Sequence, residues 1–144
     1  MPLHLLKLCV GCDGIADLEE WIRERLARRP KGSPAEHVHV TRMVPKRTDE
    51  LLGGGSLYWV IRGEIACRQE LLRVDPFVDQ EGVGRCRLVL NPAVVLVLPR
   101  PYRAFQGWRY LAAAEAPADL DRSAPGAVAM PEEMRRELRA LGLL

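Results

Sequence analysis

A chain of 144 residues that is 48% hydrophobic, 28% charged and only 6% aromatic has the length and composition of one soluble domain with a real core, which excludes wholesale disorder. Its formal charge of +2 is too small to imply nucleic-acid binding, so distribution matters: residues 37–110 hold eleven Lys/Arg against seven Asp/Glu, residues 111–144 four against six. No apolar run approaches the ~18–20 residues that cross a bilayer, and MPLHLLKLCVGCDG lacks the basic start and small-residue cleavage site of a signal peptide. A cytoplasmic protein without membrane association is therefore expected, and with it reduced thiols at Cys9, Cys12, Cys67 and Cys86.

His4 to Val10 is apolar enough for a buried first strand, and Asp13-Gly14 turns the chain into a helix from about Ile15 to Arg29. Ile15, Leu18, Ile22 and Leu26 recur at spacings of three and four as one apolar stripe, with Asp17 and Glu20 as a candidate capping box. Glu19 with Arg23 and Glu24 with Arg28 fit a solvated charged face. Pro30, Gly32, Ser33 and Pro34 end the helix, and the period then changes to two.

Residues 37–43, 57–63, 64–74 and 85–91 read as strands. In the third, Ile65, Cys67 and Leu71 should face the core with Ala66 and Arg68 outside. In the fourth, Cys86, Leu88 and Leu90 should face in, with Arg85 and Arg87 outside. Residues 75–84 should form a long hairpin loop, 93–98 a buried strand, and 107–111 a strand that closes the sheet. Beyond Leu111 the Ala, Pro and acidic composition suggests an arm laid over the domain. A short final helix should carry Met134, Leu138 and Leu141 on its apolar side. The division is a domain over 1–120 and an arm with its helix over 121–144.

The stretch TRMVPKRTDELLGGGSLYWVI, residues 41–61, contains three consecutive glycines. A phosphate-binding loop needs its glycines between a strand and a helix, followed by Lys-Ser/Thr, whereas Gly53, Gly54 and Gly55 lead through Ser56 into a strand. A tight turn is the better reading, after a short helix TDELL with Thr48 as its N-cap. No cofactor is expected.

The order of strand, basic turn, short helix, glycine turn and strand over residues 37–111 resembles the PUA-like superfamily, including the ASCH and EVE domains. It is carried by Thr41-Arg42, Pro45-Lys46-Arg47, Gly53 to Ser56, Leu57 to Arg62 and Gly63 to Val74. The resemblance implies an α+β fold, a mostly antiparallel β pseudo-barrel flanked by the early helix and the short C-terminal helix, and binding of RNA or a modified base. The words HLLKLCVG, HVTRMVPKRTDELLGGGSLYWVIRG and RPYRAFQGWRYL also resemble an uncharacterised domain-of-unknown-function family of alphaproteobacteria, which implies no activity.

RPYRAFQGWRY, residues 100–110, interleaves arginines with half of the chain's eight aromatics. Aromatic faces stack on bases while guanidiniums contact phosphate, so the leading expectation is RNA or a nucleotide-like ligand in a basic, aromatic-lined cleft. Arg42, Lys46 and Arg47 would contact phosphate and Trp59, Tyr102 and Trp108 would stack, supported by Arg62, Arg103 and Arg109. The bland alternative has Phe105 and Trp108 closing the core.

A small hydrolase or nuclease would use Glu64 or Asp49 as base with Lys46 at a phosphoryl oxygen. A protein-interaction module would dock a partner through Met130, Met134 and Leu138. Cys9-Val10-Gly11-Cys12 has the spacing of redox motifs and of half a zinc site, but the ligands of a second knuckle are missing. Packing is the simplest role for these cysteines, and no metal is expected. His37 and His39 would share one face of a strand, read as an exposed pair.

Overall fold

The computed structural model describes residues 3–33 and 35–120. The first strand, β1 (His4–Leu8), has Leu5 and Leu6 fully buried on opposite faces, so it is covered on both sides. The helix α1 (Ile15–Arg28) follows, with Leu18 and Ile22 buried and Ile15 and Leu26 packed beside them, which is the stripe the sequence predicts. Its N-cap is Gly14, and Asp17 does not form a box with Glu20. Instead the Asp17 carboxylate accepts the Asp13 N–H at 2.8 Å, an orphan donor at the helix entrance.

β2 (His37–Thr41), α2 (Thr48–Leu52) and β3 (Ser56–Ile61) come next. Thr48 lies inside α2, whose N-cap position is Arg47. β3 turns into β4 (Glu64–Val78) through Arg62 and Gly63, both at positive φ (51° and 78°), as a two-residue hairpin turn requires. β5 (Gly84–Leu90), β6 (Val95–Pro101) and β7 (Trp108–Leu111) complete the set.

The expected 75–84 loop shrinks to residues 79–83. Pro76 pairs with Cys86 inside the ladder, Arg87 lies over the Phe77 ring at 3.8 Å, and Asp79 accepts the N–H groups of Glu81 and Val83, each at 2.9 Å. Ala66 is buried rather than outward, because β4 has side chains packed on both its faces.

The strand order is β2-β5-β4-β3-β1-β7, antiparallel except for the parallel β1–β3 pair. β5 and β6 follow one another along β4, with Asn91-Pro92 at the break. The sheet is open: β7 pairs with β1, not with β2, so the expected pseudo-barrel does not close. Helix α1 buries its stripe in the same core as β1, β3 and β5, taking space a closing strand would need.

A second apolar cluster of Leu6, Tyr58, Val60, Ile65, Val97, Phe105 and Leu111 covers the other face. The segment up to residue 120 runs beside β6, with Leu98 N–H donating to Ala118 and Leu120 N–H to Leu96, both at 2.9 Å, and the expected arm over 121–144 lies outside the described residues. The expected C-terminal helix lies outside the described residues. No helix among the described residues is long and apolar enough to cross a membrane.

The glycine triplet is a packing turn. A Cβ on Gly55 would run into the backbone carbonyl oxygens of Leu3 and Leu51, while the Gly55 N–H donates to Leu51 at 2.8 Å. Only glycine permits that approach.

Candidate functional site

Gln69 has no exposed surface and stands at the centre of a polar network inside the core. Its Oε1 lies 2.9 Å from Trp59 Nε1 and 3.1 Å from His37 Nδ1, and its Nε2 donates to the Asn91 carbonyl at 2.9 Å. Since a carbonyl oxygen only accepts, His37 donates from Nδ1. Nε2 is then the acceptor for Arg25 Nη1 at 3.2 Å, and that Arg25 nitrogen also donates to the Val38 carbonyl at 3.0 Å. Burial lowers the pKa of His37, in keeping with a neutral imidazole.

His39, two residues along β2, sets its ring edge-on to Trp59 with centroids 5.3 Å apart. Its Nε2 is screened from solvent and has no hydrogen-bond partner among the described residues. Burial is the largest cause that brings its pKa down to about 4, and repulsion from Lys7, from His37 whenever that ring is protonated, and from Arg25 acts in the same direction. The histidines do share a face, but it is the inner one. His37 is only 3% exposed, because β2 is roofed by α1 through Arg25 and pairs with β5.

Between α1, β1, β2 and β3 lies a cavity of about 330 Å³ whose lining includes Lys7, Cys9, Trp21, Arg25, His39 and Trp59. Among the described residues no carboxylate lines it. Burial also lowers the pKa of Lys7. The lining thus combines two cationic side chains, two indoles and an imidazole nitrogen lacking a partner.

Cys9 and Cys12 form a disulfide, contrary to the expected reduced thiols, because the turn between them brings the chain back on itself. Gly11 has φ of 84° and the Cys12 N–H donates to the Cys9 carbonyl at 3.3 Å. Cys67 and Cys86 are buried, and burial raises the Cys86 pKa. Among the described residues no three His, Cys, Asp or Glu side chains gather as a metal site.

The predicted nucleic-acid residues divide into several places. The 42–47 loop is seated on β7: Tyr110 Oη accepts the N–H groups of Lys46 (2.9 Å) and Arg47 (3.2 Å), and Trp108 Nε1 donates to Met43 at 2.7 Å. Arg42, Lys46 and Arg47 are exposed there, with Arg47 paired to Glu50. Trp108 is buried, so its ring is a core element and not a stacking platform. Arg109 projects from the other face of β7 over Phe105 at 4.8 Å, and Tyr102 packs edge-on against that same ring at 5.4 Å, leaving Arg103 exposed beside it. Arg62 is at the β3–β4 turn, 3.3 Å from Asp13. Trp59, buried and hydrogen-bonded to Gln69, is the predicted binding residue that lines the cavity.

The hydrolytic set divides too. Asp49 and Lys46 lie by α2, at the Ser56 end of β3, whereas Glu64 pairs with Ile61 at the other end. At ~3.3 Å per residue, most of the length of β3 separates them. Met130, Met134 and Leu138 lie outside the described residues.

A protein-family profile described as "Protein of unknown function (DUF1489)" matches residues 5–144. The chain belongs to this family. Comparison with curated proteins and with solved structures gave no match. In this DUF1489 chain the residues that sequence reasoning missed are Lys7, Trp21, Arg25 and Gln69. Lys7 in an otherwise apolar first strand was the available signal. Gln69 offered none, since its role depends on side chains 10, 22 and 32 residues away.

Proposed function

We propose that this DUF1489 protein binds a small planar anion, of nucleobase or nucleotide type, in the cavity between α1 and the sheet. The observation that carries this reading is His39, in the lining of a space of ligand size, whose buried Nε2 has no hydrogen-bond partner among the described residues. Lys7 and Arg25 supply the field for a negative charge, and Trp21 and Trp59 supply apolar ring surface. The PUA-like resemblance of residues 37–111 points to the same ligand class. Titration of the intact protein with a panel of mononucleotides and free bases, followed by tryptophan fluorescence, tests it. Saturable quenching that His39→Ala and Lys7→Met each weaken about tenfold is expected, each loss matching a charged or buried hydrogen bond of ~1.5 kcal/mol. Binding untouched by both substitutions would refute it.

A second reading, an RNA strand on the β7 edge, is favoured by the Tyr110 contacts that hold Lys46 and Arg47 on that edge, with Arg42 exposed in the same loop. It predicts that Arg42→Ala with Lys46→Ala lowers RNA affinity and reduces the salt slope by about two. An unchanged slope would dispose of it.

A further inference from the structure

The Cys9–Cys12 disulfide joins residues three apart. Loop-closure entropy grows with loop length, so a crosslink this short stabilises less than one that closes a long loop. Its surroundings suit exchange chemistry instead. The hydrogen-bonded turn at Gly11 holds the two Cα atoms 5.7 Å apart, within bonding range however the sulfurs stand. Val10 in the same turn is 81% exposed, and Cys9 forms part of the cavity wall with Lys7, His39 and Trp21. Cys12 lies two residues before the N-cap of a 14-residue helix, whose N-terminal N–H groups favour a thiolate. The nearby carboxylates oppose this least where they are engaged: Asp17 accepts the Asp13 N–H, and Asp13 faces Arg62.

We propose that Cys9 and Cys12 are a reversible dithiol/disulfide couple that exchanges with a low-molecular-weight thiol entering by the cavity. The thiolate attacks Cys9 Sγ, a mixed disulfide forms as the Cys9–Cys12 bond breaks, and the electron pair leaves on Cys12 sulfur, which takes a proton. A second thiolate attacks the small-molecule sulfur of the mixed disulfide, releasing the oxidised small disulfide and the Cys9 thiol. In sum, two thiols are oxidised to one disulfide and the protein is reduced by two electrons. This requires the Cys9 wall of the cavity but not the planar anion proposed above, so either idea can fail alone.

The test equilibrates the intact protein with graded ratios of reduced to oxidised glutathione, then of dithiothreitol, quenches with acid, alkylates under denaturing conditions and locates the labels by mass spectrometry. Cys9 and Cys12 should pass together from unlabelled to doubly labelled across one transition within these ratios. In the single variants, Cys12→Ser should be trapped by oxidised glutathione as a mixed disulfide on Cys9, and Cys9→Ser should be trapped roughly tenfold more slowly at Cys12. A pair that stays oxidised in excess dithiothreitol, or stays reduced in pure oxidised glutathione, overturns the proposal. Equal trapping in both variants overturns the assignment of Cys9 as the attacked sulfur. If a variant does not fold, the wild-type titration still decides whether the couple is reversible.

Discussion

Acidification should destabilise the fold through His39. Its pKa falls from the ordinary 6.5 to about 4, because burial, and then repulsion from Lys7, from His37 whenever that ring is protonated, and from Arg25, oppose protonation. Between those values the unfolded chain binds a proton that the folded chain refuses. The sign follows: this contribution is complete above about pH 6.5 and is lost as the pH falls towards 4. At ~1.36 kcal/mol per pH unit the interval amounts to about 3 kcal/mol, a large share of the ~5–15 kcal/mol that holds a domain together. His4 and His37, both with pKa lowered first by burial, act in the same direction. Urea unfolding followed by circular dichroism near pH 7 and near pH 4, on wild type and His39→Gln, isolates the one imidazole, since carboxylates titrating in that range are common to both proteins. Wild type should lose about 3 kcal/mol more than the variant. Stability curves that run parallel in pH would refute the assignment of His39 as a buried neutral base.

Gly55→Ala should cost roughly 3 kcal/mol or abolish soluble expression, since the new methyl meets two backbone carbonyls that cannot swing aside; Gly53→Ala, whose Cβ would sit 3.5 Å from the Asp49 oxygen in ordinary contact, should stay within ~0.5 kcal/mol. Denaturant midpoints of the two variants measured side by side check this. Gln69→Leu leaves Trp59 Nε1, His37 Nδ1 and the Asn91 carbonyl without their partner at once, so a loss of about 3 kcal/mol is expected, with a shift in tryptophan emission as Trp59 loosens. A variant as stable as wild type would mean that the network is dispensable.

The elements were legible in the sequence where one side chain in two, or one in three or four, met the core. The stripe of α1 and the inward Cys86, Leu88 and Leu90 of β5 are read directly from period. Reading fails where both faces of a strand are covered. All six residues of β3 are buried, so alternation cannot say which side Trp59 takes, and aromatics that looked available for stacking prove to be interior. Pairing was hidden for a related reason: β1 lies between β3 and β7, partners about 50 and 100 residues later, and nothing local to HLLKL specifies either. The candidate site was half visible. His37, His39, Trp59 and the CxxC each drew notice separately, but their meeting depends on α1 carrying the chain from β1, in the interior of the sheet, to β2 at its edge.

That crossing also explains why polar chemistry collects there and not at the glycine triplet. β1 and β2 are not neighbours, so the helix must span the gap between them, and the space beneath it is where the cavity opens. A core selected for stability alone would fill it with apolar side chains, which need no partners. Here it holds Lys7, whose charge is disfavoured by burial, and His39, whose Nε2 has no partner among the described residues, beside a disulfide that closes only a short loop. Each departs from the rule for a well-packed interior, and departures from local rules that cluster in one place mark a site under selection for something besides folding. The glycines show a packing feature instead: the close approach at Gly55 is accounted for by the Leu3 and Leu51 carbonyls. Both proposals therefore rest on the space under α1, where Lys7, Cys9 and His39 share one lining.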